Sequence, residues 1–341
     1  MNPLILGLSR SSPFATILRM DEVPFAFCEA VYATLFNNTL PSLGELSGHY
    51  GDIARRMYPN MVDYVVSVKD GAEKPEFLYY NFDGRKVRTP GEIEAVPKKF
   101  VCRATIHLWD GKKENVSRAI VKRYPYARYQ FKLNSSSINE DWVDLACSLK
   151  RLNTVVIKKK LDDDAIRLFQ KLVDSQKLSW LVVHEKACEG GFFDVLKSLL
   201  CQDYFKGLKI NKKSGGPWRS TVVRDLLEFW SENGEKVRGT RFSVHENCVG
   251  GIQQLEEFVL ERAGVSPTLA AATGGSGLTD TLRTFGMNFA LKLCSKEECD
   301  LIDKYYQHNH TLYYKPSCVY KYEEGEGDER RRIYISFDCS K

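Results

Sequence analysis

No stretch of the 341 residues approaches the roughly 18-residue apolar run needed to cross a bilayer, so a helical membrane span is excluded. Paired CxxC spacing is missing too. The ten cysteines are scattered, which excludes a dense disulfide framework and reads as reduced thiols, many of them small core residues. Charge of one sign is scarce. A net +5 over this length argues for neither a nucleic-acid coat nor a membrane-surface protein. Signatures of chemistry are lacking as well: there is no HExxH, Walker loop, dinucleotide fingerprint or nucleophile elbow. An enzyme is therefore not expected, no cofactor is called for, and the compartment expected is cytoplasmic or nuclear. What is present is globular, at 43% hydrophobic and 27% charged residues, on a chain long enough for more than one module.

The clearest positive signal is a repeat. Leu152-x-x-Val155-x-Ile157 is followed by Leu178-x-x-Leu181-x-Val183 and Phe205-x-x-Leu208-x-Ile210, at offsets of 26 and 27 residues. Weaker copies are Ile106-x-Leu108, Phe131-x-Leu133 and Phe242-x-Val244. A helix-period run follows each strand, for example Ala165, Ile166, Phe169, Leu172 and Val173. A strand and helix recurring every 20–29 residues with LxxLxL spacing resembles a leucine-rich repeat. One such unit cannot bury its apolar face alone, whereas stacked neighbours share a core. The usual Asn/Cys after the motif is replaced by Lys160, Lys186 and Lys213. The expected fold class is thus α/β: a leucine-rich-repeat-like solenoid, a parallel sheet with helices on its other face. A doubly wound α/β domain is the alternative.

Upstream, Val23-Pro24 opens a helical run through Phe25, Cys28, Val31, Tyr32 and Leu35; Leu43 and Leu46-Ser47 follow, then Tyr50 and Ile53-Ala54. This order resembles the F-box outline "L-P … L-x-x-L-S-x-x-W-x-x-I-A", with Val for Leu before Pro24 and Tyr for Trp at position 50. The chain as a whole, opening "MDEVPFAFCEAV" at Met20, is similar to the nematode family of F-box-like proteins. That resemblance implies a Skp-type adaptor protein as partner, held by Pro24, Phe25, Val31, Leu35, Leu43, Leu46 and Tyr50. It also implies a non-catalytic role as substrate-recognition subunit of a Skp–cullin–F-box ubiquitin ligase. Two other readings stand beside it: a stand-alone interaction scaffold with a decayed F-box, and a nucleic-acid binder using Lys98-Lys99, Lys158–Lys160, Lys212-Lys213 and Arg330–Arg332.

The expected organisation is a disordered leader at 1–19, with a transit segment as alternative, and the F-box-like module at 20–66. A hairpin and connector follow at 67–100, the repeat array at 101–263, a Gly-rich linker at 264–282 and a small α+β module at 283–341. Within that last module Cys294, Cys299, His308 and His310 have zinc-ligand chemistry. Ser295 and Glu298, however, are spaced as a capping box, which makes Cys294 and Cys299 the two ends of a hydrophobic staple. No metal is expected. Asp162-Asp163-Asp164 likewise suits a helix start.

The residues between the apolar positions of each LxxLxL strand should face the open side of the sheet. They are Tyr129 and Lys132; Val156 and Lys158; Trp180, Val182 and His184; Lys209; and Arg241 and His245. These are the candidate substrate-binding residues. An aromatic centre with a cationic rim favours an unknown protein substrate that is acidic or phosphorylated.

Overall fold

The computed structural model describes residues 24–32, 40–109, 115–213, 216–237, 240–262, 264, 291–306, 317–324 and 331–339. The leader, Leu35, His308, His310 and nearly all of the linker lie outside them. The chain divides into two units, one reaching Met61 and taking in Tyr80–Arg85, the other containing the remainder.

In the first unit three helices follow one another: α1 (Phe25–Tyr32), α2 (Leu40–Gly44) and α3 (Gly48–Met57). The Pro24 carbonyl accepts from the Phe27 and Cys28 amides and so starts α1. Cys28 and Tyr32 of α1 are buried, as are Ile53, Ala54 and Met57 of α3. The Tyr32 hydroxyl donates to the Tyr50 carbonyl at 3.0 Å and ties the two helices. Two carbonyls at the end of α2, those of Gly44 and Leu46, accept from the Arg55 guanidinium. Gly51 faces the Leu46 carbonyl so closely that a Cβ has no room there. After Met61 the chain passes directly from this unit into the first strand.

The second unit carries a 12-stranded sheet. Its strands are β1 (Val62–Lys69), β2 (Ala72–Tyr80), β3 (Lys86–Val87), β4 (Val101–Leu108), β5 (Arg128–Leu133) and β6 (Leu152–Ile157). The rest are β7 (Trp180–His184), β8 (Gly207–Lys212), β9 (Arg241–Glu246), β10 (Leu291–Leu293), β11 (Cys318–Glu324) and β12 (Arg331–Cys339). From β4 to β9 each strand lies parallel beside the one that follows it in sequence, and β1 and β12 extend the parallel run at its two ends. β11 pairs antiparallel with β12, and β10 with β11. The stretch expected as a separate C-terminal module therefore continues the same sheet. Nothing in the spacing of Ile333, Ile335 and Phe337 distinguishes a new sheet from an added strand.

Helices link the strands: α4 (Pro90–Ala95), α5 (Asn115–Arg123), α6 (Glu140–Ser148), α7 (Asp163–Asp174), α8 (Phe192–Leu200), α9 (Val222–Asn233) and α10 (Val249–Arg262), with α11 (Lys296–Tyr306) before β11. Each of α5 to α10 packs on the next. Parallel crossovers are right-handed, so an unreversed strand order puts the linking helices on one face of the sheet. From β4 to β9 the order has no point of reversal, as a solenoid-like array requires; the direction changes only outside that run, where β1 lies beside β4 and β12 beside β9.

Local chemistry explains the helix starts. The side chain of Asn139 accepts from the Trp142 amide at 2.9 Å and that of Asp162 from the Ala165 amide at 2.8 Å. Ser295 and Glu298 form the reciprocal capping box, at 3.2 and 3.1 Å, that opens α11. Cys294 and Cys299 pack with Ile302 and Val319 in one apolar cluster, as a staple requires. The nine apolar positions of the three strongest repeats are all 5% exposed or less. Ring contacts such as Phe131 on Trp142 and Phe169 on Phe192, at 5.6 and 5.7 Å, link strand to helix and helix to helix.

Candidate binding face

Alternation along each strand sends one set of side chains to the helices and the other to the open face. The register then assembles the open set into rows. One runs through Thr105, Gln130, Thr154, Trp180, Gly207 and Arg241. The next runs from His107 through Lys132, Val156, Val182 and Lys209 to Ser243. A third holds His184, Asn211, His245 and Asp338, with Lys158 entering beside His184 one residue past the end of β6.

Nine of the ten candidate residues thus share one face. Tyr129 does not. It is 3% exposed, lies on the same side as Phe131 and Leu133, and its hydroxyl donates to the carbonyls of Val121 and Tyr124. Two residues before an inward Phe131, it had to point inward, so its assignment to the open face is corrected by simple period-2 alternation. Val156 is on the open face but is only 6% exposed.

Trp180 is half-buried. Its ring lies across Gly207 on the neighbouring strand, in the space that a side chain there would fill. Glycine at 207 thus lets an indole lie flat on the sheet between Thr154 and Arg241. Two residues outside the candidate set belong here, and of these sequence reasoning missed Trp109, while alternation along the strand already faced Asn211 to the open side. Trp109, 48% exposed, donates from its indole nitrogen to the Ser67 hydroxyl at 3.2 Å. Asn211 carries a buried side-chain oxygen that has no partner among the described residues. Trp109 was legible as the residue after Leu108 in a repeat strand; the alternation of β8 gives the facing of Asn211, and the pairing of β7 with β8 sets it beside His184.

Charge on this face is uneven. Burial lowers the pKa of Lys132, and Lys158 lowers it further; burial and then Lys213 do the same to Lys158. His184 is pushed down to about 4 by burial and the fields of Lys213 and Lys158. His107 also falls to about 4, through burial and Lys132, opposed by Glu76 at 3.4 Å. The β9 end is compensated instead. His245 meets Asp338 at 3.0 Å and Arg241 donates to Ser336 at 3.4 Å. Burial lowers the Lys209 pKa while Asp338 opposes the shift.

On the helix side, Glu185 and Lys212 form a buried pair at 3.2 Å, their side chains 1% and 3% exposed. Glu185 also accepts from the Arg219 and Ser220 amides at 2.7 and 2.9 Å, and Lys212 donates to the Pro217 carbonyl at 3.0 Å. Burial alone would raise the Glu185 pKa; these donors together hold it below the usual value. The pair fastens the segment leading into α9.

On the three-helix unit, Pro24 is exposed, Val31 and Leu46 are 36% and 47% exposed, and Leu43 and Tyr50 are half-buried. Phe25 lies in the first turn of α1. Phe27, 60% exposed, was not among the expected residues, although it stands one turn before Val31.

No protein-family model matches the chain, and no curated protein or solved structure shows significant similarity to it. No helix among the described residues is long and apolar enough to cross a membrane.

Proposed function

We propose that this protein is a recognition subunit that presents a partner protein on the open face of a leucine-rich-repeat-like sheet. Its three-helix unit is read as an F-box-like module that docks on a Skp-type adaptor in a cytoplasmic or nuclear ubiquitin ligase. The observation that carries the reading is the strand order: from β4 to β9 consecutive strands progress one way, leaving the other face of that run uncovered by the linking helices. Trp180 sits near the middle of that face with lysines in the adjoining rows, a composition typical of binding hot spots. The role is one of binding and orientation, with bond chemistry left to other subunits. The first unit supports the adaptor reading through exposed large apolar side chains, Phe27 and Val31 one turn apart on α1 and Leu46 after α2.

A pull-down with the Skp-type adaptor tests this directly. Wild type should capture it, and Leu43→Asp/Leu46→Asp should abolish capture while the thermal unfolding of the sheet is unchanged. Capture that survives the double substitution would overturn the docking site. A wild-type chain that never binds the adaptor would leave a stand-alone scaffold as the reading.

A further inference from the structure

The open face has two electrostatic halves, and only one is neutralised from within. Toward β12, His245 pairs with Asp338 and Arg241 donates to Ser336, and the Asp338 field reaches Lys209 without an ion pair. Across β5 to β8 the situation is reversed. Lys132 and Lys158 stand on neighbouring strands, His184 is on the next, and Lys213 lies two residues beyond Asn211 on the fourth. Four adjacent strands span about 14 Å at about 4.8 Å apiece, within reach of converging lysine side chains. Among the described residues, no carboxylate is within ion-pair distance of any of these three lysines. The acid whose field reaches Lys132 and Lys158 is Glu76, already engaged by Ser67 and His107.

Holding like charges together on a half-buried surface is unfavourable in the empty protein. Such an arrangement is stabilised by an anion that brings more than one negative charge to the centre of the cluster. We infer that Lys132, Lys158 and Lys213, with His184 beside them, form the subsite for a phosphorylated serine or threonine of the partner protein. A phosphate dianion offers three acceptor oxygens to three ammonium groups, whereas a carboxylate brings one charge and two oxygens. Asn211, paired with His184 across β7 and β8, adds a polar side chain beside the cluster. A nucleic acid would use the same cations, but its backbone favours a longer basic track than one cluster with Asp338 on its far side. The inference rests on the open face being the partner surface.

The test uses the full chain and immobilised pools of phosphoserine/phosphothreonine peptides, the same peptides unphosphorylated, and single-stranded RNA of matched charge. Wild type should prefer the phosphorylated pool by at least about tenfold, since several charge-assisted hydrogen bonds are gained. Lys132→Met/Lys158→Met should erase that preference, while Arg241→Met keeps it. Both variants are checked for unchanged unfolding. A second readout needs no peptide: at pH 7.5, where inorganic phosphate is mostly the dianion, titrating it against chloride at equal ionic strength should shift the NMR resonances of the His184 ring in a saturable way. No phosphate preference, a preference that outlives the double substitution, RNA bound as tightly as phosphopeptide, or unmoved His184 resonances would each overturn the subsite. If unphosphorylated partner is still held in a Trp180-dependent way, only the subsite fails; if Trp180→Ala changes nothing, the open-face reading itself fails.

Discussion

Trp180 and Gly207 show how much of this surface is decided by single residues. An indole half-buried on an open sheet needs a neighbour without a side chain, and the register puts glycine there. Neither residue announces this alone, because the pairing of Trp180 with Gly207 is a fact of register and not of spacing. Tyr129 teaches the opposite lesson, since its inward direction followed from Phe131 two positions later. His107 and His184 carry the residue-scale prediction. Both have folded values near 4, below the ordinary 6.5, with Lys132, Lys158, Lys213 and Glu76 facing them. The unfolded chain then binds protons first as pH falls, so stability is full above about 6.5 and declines toward 4. Urea midpoints at pH 7 and pH 4.5 should differ less in His107→Asn/His184→Asn than in wild type. An equal drop in both proteins would show that these imidazoles do not contribute.

At the scale of elements, much was readable before any coordinates. The repeat offsets placed β6, β7 and β8, the apolar periods placed α6 to α10, and Ser295 with Glu298 placed the start of α11. Two things were not. Lys212 reads as one of a surface lysine pair, yet it is buried on Glu185, 27 residues earlier, because alternation in β8 turns it toward the helices. The exposure of Phe27 depends on which face of α1 packs, a choice that its weakly amphipathic sequence does not make. Glu185→Gln keeps the volume and removes the charge, leaving the Lys212 ammonium buried without its counter-ion. It should lower stability by about 3–5 kcal/mol. Hydrogen exchange at the Arg219 and Ser220 amides should accelerate along with it. The depressed Glu185 pKa adds stability above the ordinary carboxylate range, lost as pH falls through the folded value. A loss under about 1 kcal/mol would mean that the latch is not carried by charge.

For the whole molecule, the strand order is what the repeat predicted and what motif reading could not extend to the ends. β1, β10, β11 and β12 lack the LxxLxL spacing, and their places in the sheet follow from edge pairing, a long-range choice. The proposed function turns on the asymmetry this order creates, with helices on one face and an open face that carries Trp180 and the lysines. The most direct measurement compares partner binding by wild type, by Trp180→Ala on the open face, and by Arg167→Glu on the exposed surface of α7. Each is scored per folded molecule. The account predicts that Trp180→Ala weakens binding by about 2 kcal/mol or more while Arg167→Glu stays near wild type. Binding lost on the helix face, or kept in full without Trp180, would contradict it.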